Sequence, residues 1–239
     1  MSRVLRSLLV VVLGLTIAVP ATGQDRVRET REVPAFTKIA LNVPGTLHLR
    51  QGDARSVEVE ATRRVLEHLE TVVEDGRLKI RDESNFFEDV FGDDQGWGEI
   101  DVYVTASTIE TVSIAGAGSV VGETPIESTS LALENAGSGS VDLEVSTSRL
   151  RTSIAGSGTI RVRGTADDVN VRIAGSGTID GLDLTTASAD IQVAGSGDTR
   201  LYVTDRLSAQ IMGSGDVEYR GSPSIDKSIL GSGDVRSVE

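Results

Sequence analysis

A glycine-bracketed turn recurs through the second half of the chain. It appears as Gly116-Ala117-Gly118 and then as Gly-Ser-Gly starting at Gly137, Gly156, Gly175, Gly195, Gly213 and Gly231, at steps of 21, 19, 19, 20, 18 and 18 residues. A near-constant period of this size marks an architecture in which one supersecondary unit stacks on the next, since a single unit cannot bury its own apolar face. Aligned on the first glycine, the column two residues earlier reads Ile114, Asn135, Ile154, Ile173, Val193, Ile211 and Ile229. The column four residues later reads Val120, Val141, Ile160, Ile179, Thr199, Val217 and Val235. Polar residues separate these columns, so each flank of the turn alternates with period two, as a half-buried strand does.

The column five residues after the first glycine reads Asp142, Arg161, Asp180, Arg200, Glu218 and Arg236, alternating in sign at every step. In a parallel stack with coils about 4.8 Å apart, each of these side chains would face an opposite charge above and below. The fold expected is all-β: a right-handed parallel β-helix or β-solenoid-like stack with Gly-Ser-Gly repeats of about 19 residues.

Residues 1–23 form a signal peptide on this reading. Arg3 and Arg6 precede an apolar run from Leu8 to Val19, and small residues follow, with cleavage after Ala21 or Gly23. The run is shorter than the roughly 20 residues of a membrane span, and no transmembrane span is expected in the mature chain. The chain has no cysteine, which removes disulfides, thiolate metal sites and a cysteine-linked lipid anchor. Loss of Arg3 and Arg6 takes the formal charge from −13 to −15, a poor balance for nucleic acid or an anionic membrane.

Residues 24–239 are read as a single β-solenoid domain, with irregular N-terminal strands over 24–105 and the repeat region over 106–239. Strands are expected at 36–42, 45–50, 56–62, 69–74 and 77–81, with Asp75-Gly76 as a two-residue hairpin turn and some helical character over 65–73. The segment 82–99 interrupts the pattern with Phe86, Phe87, Phe91 and Trp97, half of the aromatic residues of the chain, and seven acids. Long excursions of this kind are where binding residues tend to sit. Those four aromatics are the candidate binding-loop residues.

Two stretches carry a family resemblance. One comprises Val33-Pro-Ala-Phe-Thr-Lys-Ile, Gly45-Thr-Leu-His-Leu-Arg-Gln-Gly and Gly76-Arg-Leu-Lys-Ile. The other runs from Leu207-Ser-Ala-Gln-Ile-Met-Gly-Ser-Gly to Pro223. The chain resembles the bacterial family named "putative auto-transporter adhesin, head GIN domain". The resemblance implies an exported protein with a β-helix-like fold and carries over no catalytic or ligand residue. No series of membrane-barrel strands is recognisable, so the chain is not expected to export itself.

Phosphate loops are excluded because the fifth position after each first glycine is never glycine and no helix follows the turns. No Gly-x-Ser-x-Gly elbow occurs. His48 and His68 are expected as separate, exposed strand residues without the companions a zinc site needs. No cofactor is assigned. Calcium is the alternative: the last three turns read Gly-Ser-Gly-Asp and place Asp198, Asp216 and Asp234 in one column, similar to calcium-binding β-roll turns. Asp93 and Asp94 in the 82–99 segment are further candidates. An enzyme on this scaffold would use Asp168, Asp190, Arg151 and Arg172 against a polysaccharide, on a face where no cleft is expected.

The function expected is that of an exported cell-envelope protein, periplasmic, secreted or at the cell surface. It would act as a non-enzymatic, adhesin-like binding module for a protein or glycan partner. A carbohydrate-active enzyme and a purely structural envelope protein are the alternatives. An apolar, unpaired terminal coil would point to self-association.

Overall fold

The computed structural model describes residues 26–82 and 98–238. The signal peptide read at 1–23 lies outside them. So do Phe86, Phe87, Phe91, Asp93, Asp94 and Trp97.

The repeat region forms parallel coils. β8 (Thr111–Gly116) and β9 (Ser119–Gly122) flank the first glycine turn. β10 (Ile126–Gly137), β11 (Ser140–Gly156), β12 (Thr159–Gly175), β13 (Thr178–Gly195) and β14 (Asp198–Gly213) then run from turn to turn. β15 (Val217–Arg220), β16 (Ser224–Gly231) and β17 (Val235–Ser237) complete the stack. Register follows the glycines: Gly116 pairs with Gly137, Gly137 with Gly156, Gly156 with Gly175, and so on to Gly213 with Gly231. Both apolar columns point inward and are almost entirely buried.

The turn needs glycine at both ends for different reasons. Gly175 has φ +128°, and a Cβ there would stand 2.3 Å from the Gly156 carbonyl oxygen one coil below. The third turn residue is seated under the inward column: Ile154 Cγ2 would meet a Cβ on Gly177 at 2.5 Å, and Ile173 Cγ2 one on Gly197 at 2.5 Å. Asn135 takes this place beneath Gly158 and donates to the Gly139 carbonyl at 2.7 Å.

The N-terminal strands join the same sheet in an order the chain does not follow. β2 (Lys38–Leu41) and β3 (Thr46–Gln51) form a coil that pairs in parallel with β8 and β9 on one side. On the other side lie β6 (Arg77–Asp82) and β7 (Asp101–Ala106), also parallel. Consecutive units are therefore neighbours throughout the glycine repeats but not here. β6 ends at Asp82 and β7 begins at Asp101 on the edge where later coils make their glycine turn. β5 (Leu69–Glu74) pairs antiparallel with β6 through Asp75 and Gly76, both at positive φ (50° and 71°), the geometry of the expected hairpin turn. β4 (Ser56–Thr62) pairs antiparallel with β7, and β1 (Arg26–Thr30) with β4. Between β4 and β5, the short helix α1 (Arg63–His68) turns Val65 and Leu66 into the core.

At the opposite end β16 is mostly exposed, with Ile225 at 43% and Leu230 at 75% accessibility. Lys227 stands in register with buried Ala209, and its Nζ reaches the Val235 carbonyl at 3.4 Å. A lysine in an inward register position of β16 blunts pairing with a further chain.

Candidate functional site

The sign-alternating column is in register at every step, from Asp142–Arg161 to Glu218–Arg236. Arg161 stands 3.8 Å from Asp142 and 3.7 Å from Asp180. Glu218 bridges Arg200 at 2.8 Å and Arg236 at 2.5 Å. Hydrogen bonds from Arg236 and Arg200 hold its carboxyl below the usual carboxylate range. Arg163 also pairs, with Asp142 at 2.7 Å. Every arginine on this face is engaged.

A second face differs. Seven residues before each first glycine stand Ser130, Arg149, Asp168, Ser188 and Arg206. Five before stand Ala132, Arg151, Asn170, Asp190 and Ser208. Parallel register sets these columns side by side across β10 to β14. All but Ala132 line a groove of 540 Å³ whose apolar lining, Leu150, Val169 and Ala189, is buried. The concavity follows from side-chain size. Of the two coils between the arginines, β13 supplies Ser188, Ala189 and Asp190, while Arg149 and Arg151 rise on one side and Arg206 on the other.

Asn170 and Gln192 approach Asp190 Oδ1 at 3.5 and 3.4 Å. Among the described residues, Arg149, Arg151, Arg206 and the adjacent Arg172 have no side-chain ion pair or hydrogen bond, although Asp168 is the register neighbour of Arg149. Three of the residues proposed from sequence for a polysaccharide enzyme, Arg151, Asp168 and Asp190, meet in this groove, and Arg172 borders it. The expectation that this face has no cleft is corrected. Arg149 and Arg206 were missed, although the columns they stand in are readable at the repeat period.

The aspartate column takes a different role. Asp198 Oδ1 accepts the Asp216 N–H and Asp216 Oδ1 the Asp234 N–H, each at 3.0 Å, while Asp234 Oδ1 accepts the Val235 N–H at 2.8 Å. No group of three acidic or histidine side chains among the described residues is arranged to hold a metal ion.

Both histidines differ from expectation. His68 ends α1 and is half-buried. His48 is three-quarters buried, stacks on Tyr103 with ring centroids 4.6 Å apart, and bonds Asp101 at 3.0 Å. Burial pushes the Asp101 carboxyl up, but hydrogen bonds from Arg26 and His48 outweigh it and leave it below the usual range. Arg28 covers the Tyr103 ring at 4.1 Å. Partners surround this cluster, which ties β1, β3 and β7 together.

Against known families, residues 35–223 match the model described as "Putative auto-transporter adhesin, head GIN domain". The chain belongs to this family. Solved structures share the fold over about nine-tenths of the chain. A protein from Parabacteroides distasonis ATCC 8503, described as a putative lipid binding protein, is 27% identical with a TM-score of 0.73, covering 90% of this chain and 97% of its own. A putative adhesin from Bacteroides fragilis NCTC 9343 is 21% identical with a TM-score of 0.82, covering 90% and 98%. One from Parabacteroides merdae ATCC 43184 is 18% identical with a TM-score of 0.69, covering 92% and 99%. No curated protein matches. The head GIN domain of this chain is an adhesin-like β-solenoid, and no helix among its described residues is long and apolar enough to cross a membrane.

Proposed function

We propose that this GIN-domain protein is an exported, non-enzymatic binding module of the bacterial envelope, and that the arginine-lined groove is its recognition face. One observation carries the reading. Arginines on the charge-ladder face are all paired, whereas Arg149, Arg151 and Arg206 stand in a concavity with no side-chain partner among the described residues. An unengaged guanidinium keeps its five donors free for a ligand.

Catalysis fits the groove less well. Asp168 is exposed, and Asp190 lies within reach of two amide donors. Neither carboxyl has the enclosed, apolar setting on which general-acid catalysis is built. The lipid-binding description of the Parabacteroides distasonis relative also fits poorly. Leu150, Val169 and Ala189 are at most 4% accessible and offer an acyl chain little apolar surface.

The test is binding of the labelled mature chain to bacterial wall and capsule fractions. An Arg149→Ser/Arg151→Ser/Arg206→Ser variant is compared with an Arg161→Ser/Arg163→Ser variant of the ladder face. Loss confined to the groove variant is expected. Equal binding by both would sink the assignment. N-terminal sequencing of the exported protein should place cleavage after Ala21 or Gly23; an intact Met1 on an exported chain would refute the leader.

A further inference from the structure

We infer that the groove takes an extended acidic polysaccharide, a chain of uronate-type sugars lying along the stacking axis. Its carboxylates would sit on Arg149 and Arg151 at one end and on Arg206 at the other. The inference rests on the reading of the groove as the recognition face and adds the class of ligand.

Spacing carries the first part of the argument. Arg149, Asp168, Ser188 and Arg206 are successive register partners, so the two guanidinium clusters lie three coil steps apart. At about 4.8 Å per step that is about 14 Å. A single small anion cannot touch both ends. A ligand that uses the whole groove must be elongated and carry acidic groups at that separation.

The lining between the clusters carries the second part. Asp168 and Asp190 accept hydrogen bonds, Asn170 both donates and accepts, and Ser188 and Ser208 do either. This mixture suits a chain that presents hydroxyls between its charges. The backbone of DNA, by contrast, has no hydroxyl between its charges to donate to Asp168 and Asp190. No aromatic side chain among the described residues lines the groove. The apolar face of a neutral sugar and the face of a nucleobase alike have nothing to stack on. Affinity therefore has to come from charge-assisted hydrogen bonds, for which planar guanidinium and carboxylate are matched.

The experiment is calorimetric titration of the mature chain with oligogalacturonates of increasing length, from the monosaccharide upward. Their methyl esters and polyglutamate serve as comparisons, at low and at high salt. Affinity should rise about tenfold or more once the oligomer spans both clusters. Arg206→Ser should cancel that rise for long oligomers. Its exposed position makes misfolding easy to exclude by a parallel melt. Methyl esters should not bind, and binding should weaken with salt.

Affinity independent of length, unaffected by Arg206→Ser, or shared by the esters would overturn the inference. So would equal affinity for polyglutamate. If no uronate binds while attachment to envelope fractions still depends on the groove arginines, the ligand class is wrong and the recognition face stands. If attachment ignores the groove arginines, both fall.

Discussion

Asp198 accepts a hydrogen bond from the backbone N–H of Asp216, one coil further on, at 3.0 Å. Asp216 repeats the bond to Asp234 and spends its second oxygen on Arg236 at 3.2 Å. The aspartate column that suggests calcium in the sequence is thus occupied with joining coils. Asp198→Ala should cost about 1–2 kcal/mol in urea denaturation, the worth of a hydrogen bond to a charged acceptor that is partly solvated. Calcium should leave the melt of an Asp93→Asn/Asp94→Asn variant unchanged. A calcium-dependent rise in Tm in that variant would contradict this role for Asp198, Asp216 and Asp234.

Gly175→Ala should destabilise the fold severely, by more than about 2 kcal/mol, because it combines a left-handed backbone with a backbone clash. Gly76→Ala is the control. It also has positive φ (71°), but a Cβ there meets nothing within 4 Å. Its cost should stay near 1 kcal/mol. Equal losses in chemical denaturation would show that stacking distance is not what excludes a side chain at Gly175.

Asn135 occupies a column otherwise built of Ile and Val, and its Oδ1 is buried without a partner. Replacing it with Ile removes a desolvation cost of about 1–3 kcal/mol. The Gly139 carbonyl keeps the Thr159 N–H at 3.0 Å, so little is lost in exchange. Asn135→Ile should raise Tm. A fall in Tm would mean that the amide bond to Gly139 outweighs the orphaned oxygen.

Acid should weaken the fold through Asp101 and Glu218. Both are held below their ordinary values in the folded chain. For a depressed carboxyl, the stabilisation is full above the unfolded pKa, about 3.9 for Asp and 4.3 for Glu. It is lost as pH falls through the folded value. Tm should therefore drop as pH is lowered below about 4. Asp101→Asn should lower Tm at neutral pH and shrink the acid drop; an unchanged acid drop would remove Asp101 from the account.

Much of the repeat region was legible because its register is enforced locally, coil on coil. Gly156 seats on Gly137 and Gly175 on Gly156, so aligning the turns in the sequence aligned the strands in space. The alternation from Asp142 to Arg236 is read off the same alignment, and Asp75-Gly76 declared its hairpin through backbone preference alone. What the sequence concealed was non-local. His48 finds Asp101 53 residues away, and nothing in either segment announces that pairing. The groove was hidden for another reason. Its depth comes from contrast between coils, Arg149 and Arg206 against Ser188 and Ala189, which no single repeat displays.

The coil formed by β2 and β3 lies between strands that follow it in the chain. A polypeptide emerging N-terminus first exposes Lys38–Gln51 before either neighbour has been made. That coil stays open until Arg77–Asp82 and Asp101–Ala106 close one side and Thr111–Gly122 the other. Folding therefore acquires a direction. The costly loop closures fall at the N-terminal end, and each later coil then adds to a finished template by contacts with the one before it. A nascent chain cut short before β9 has no completed layer on which to grow. One cut after any later glycine turn keeps a stack that is merely shorter.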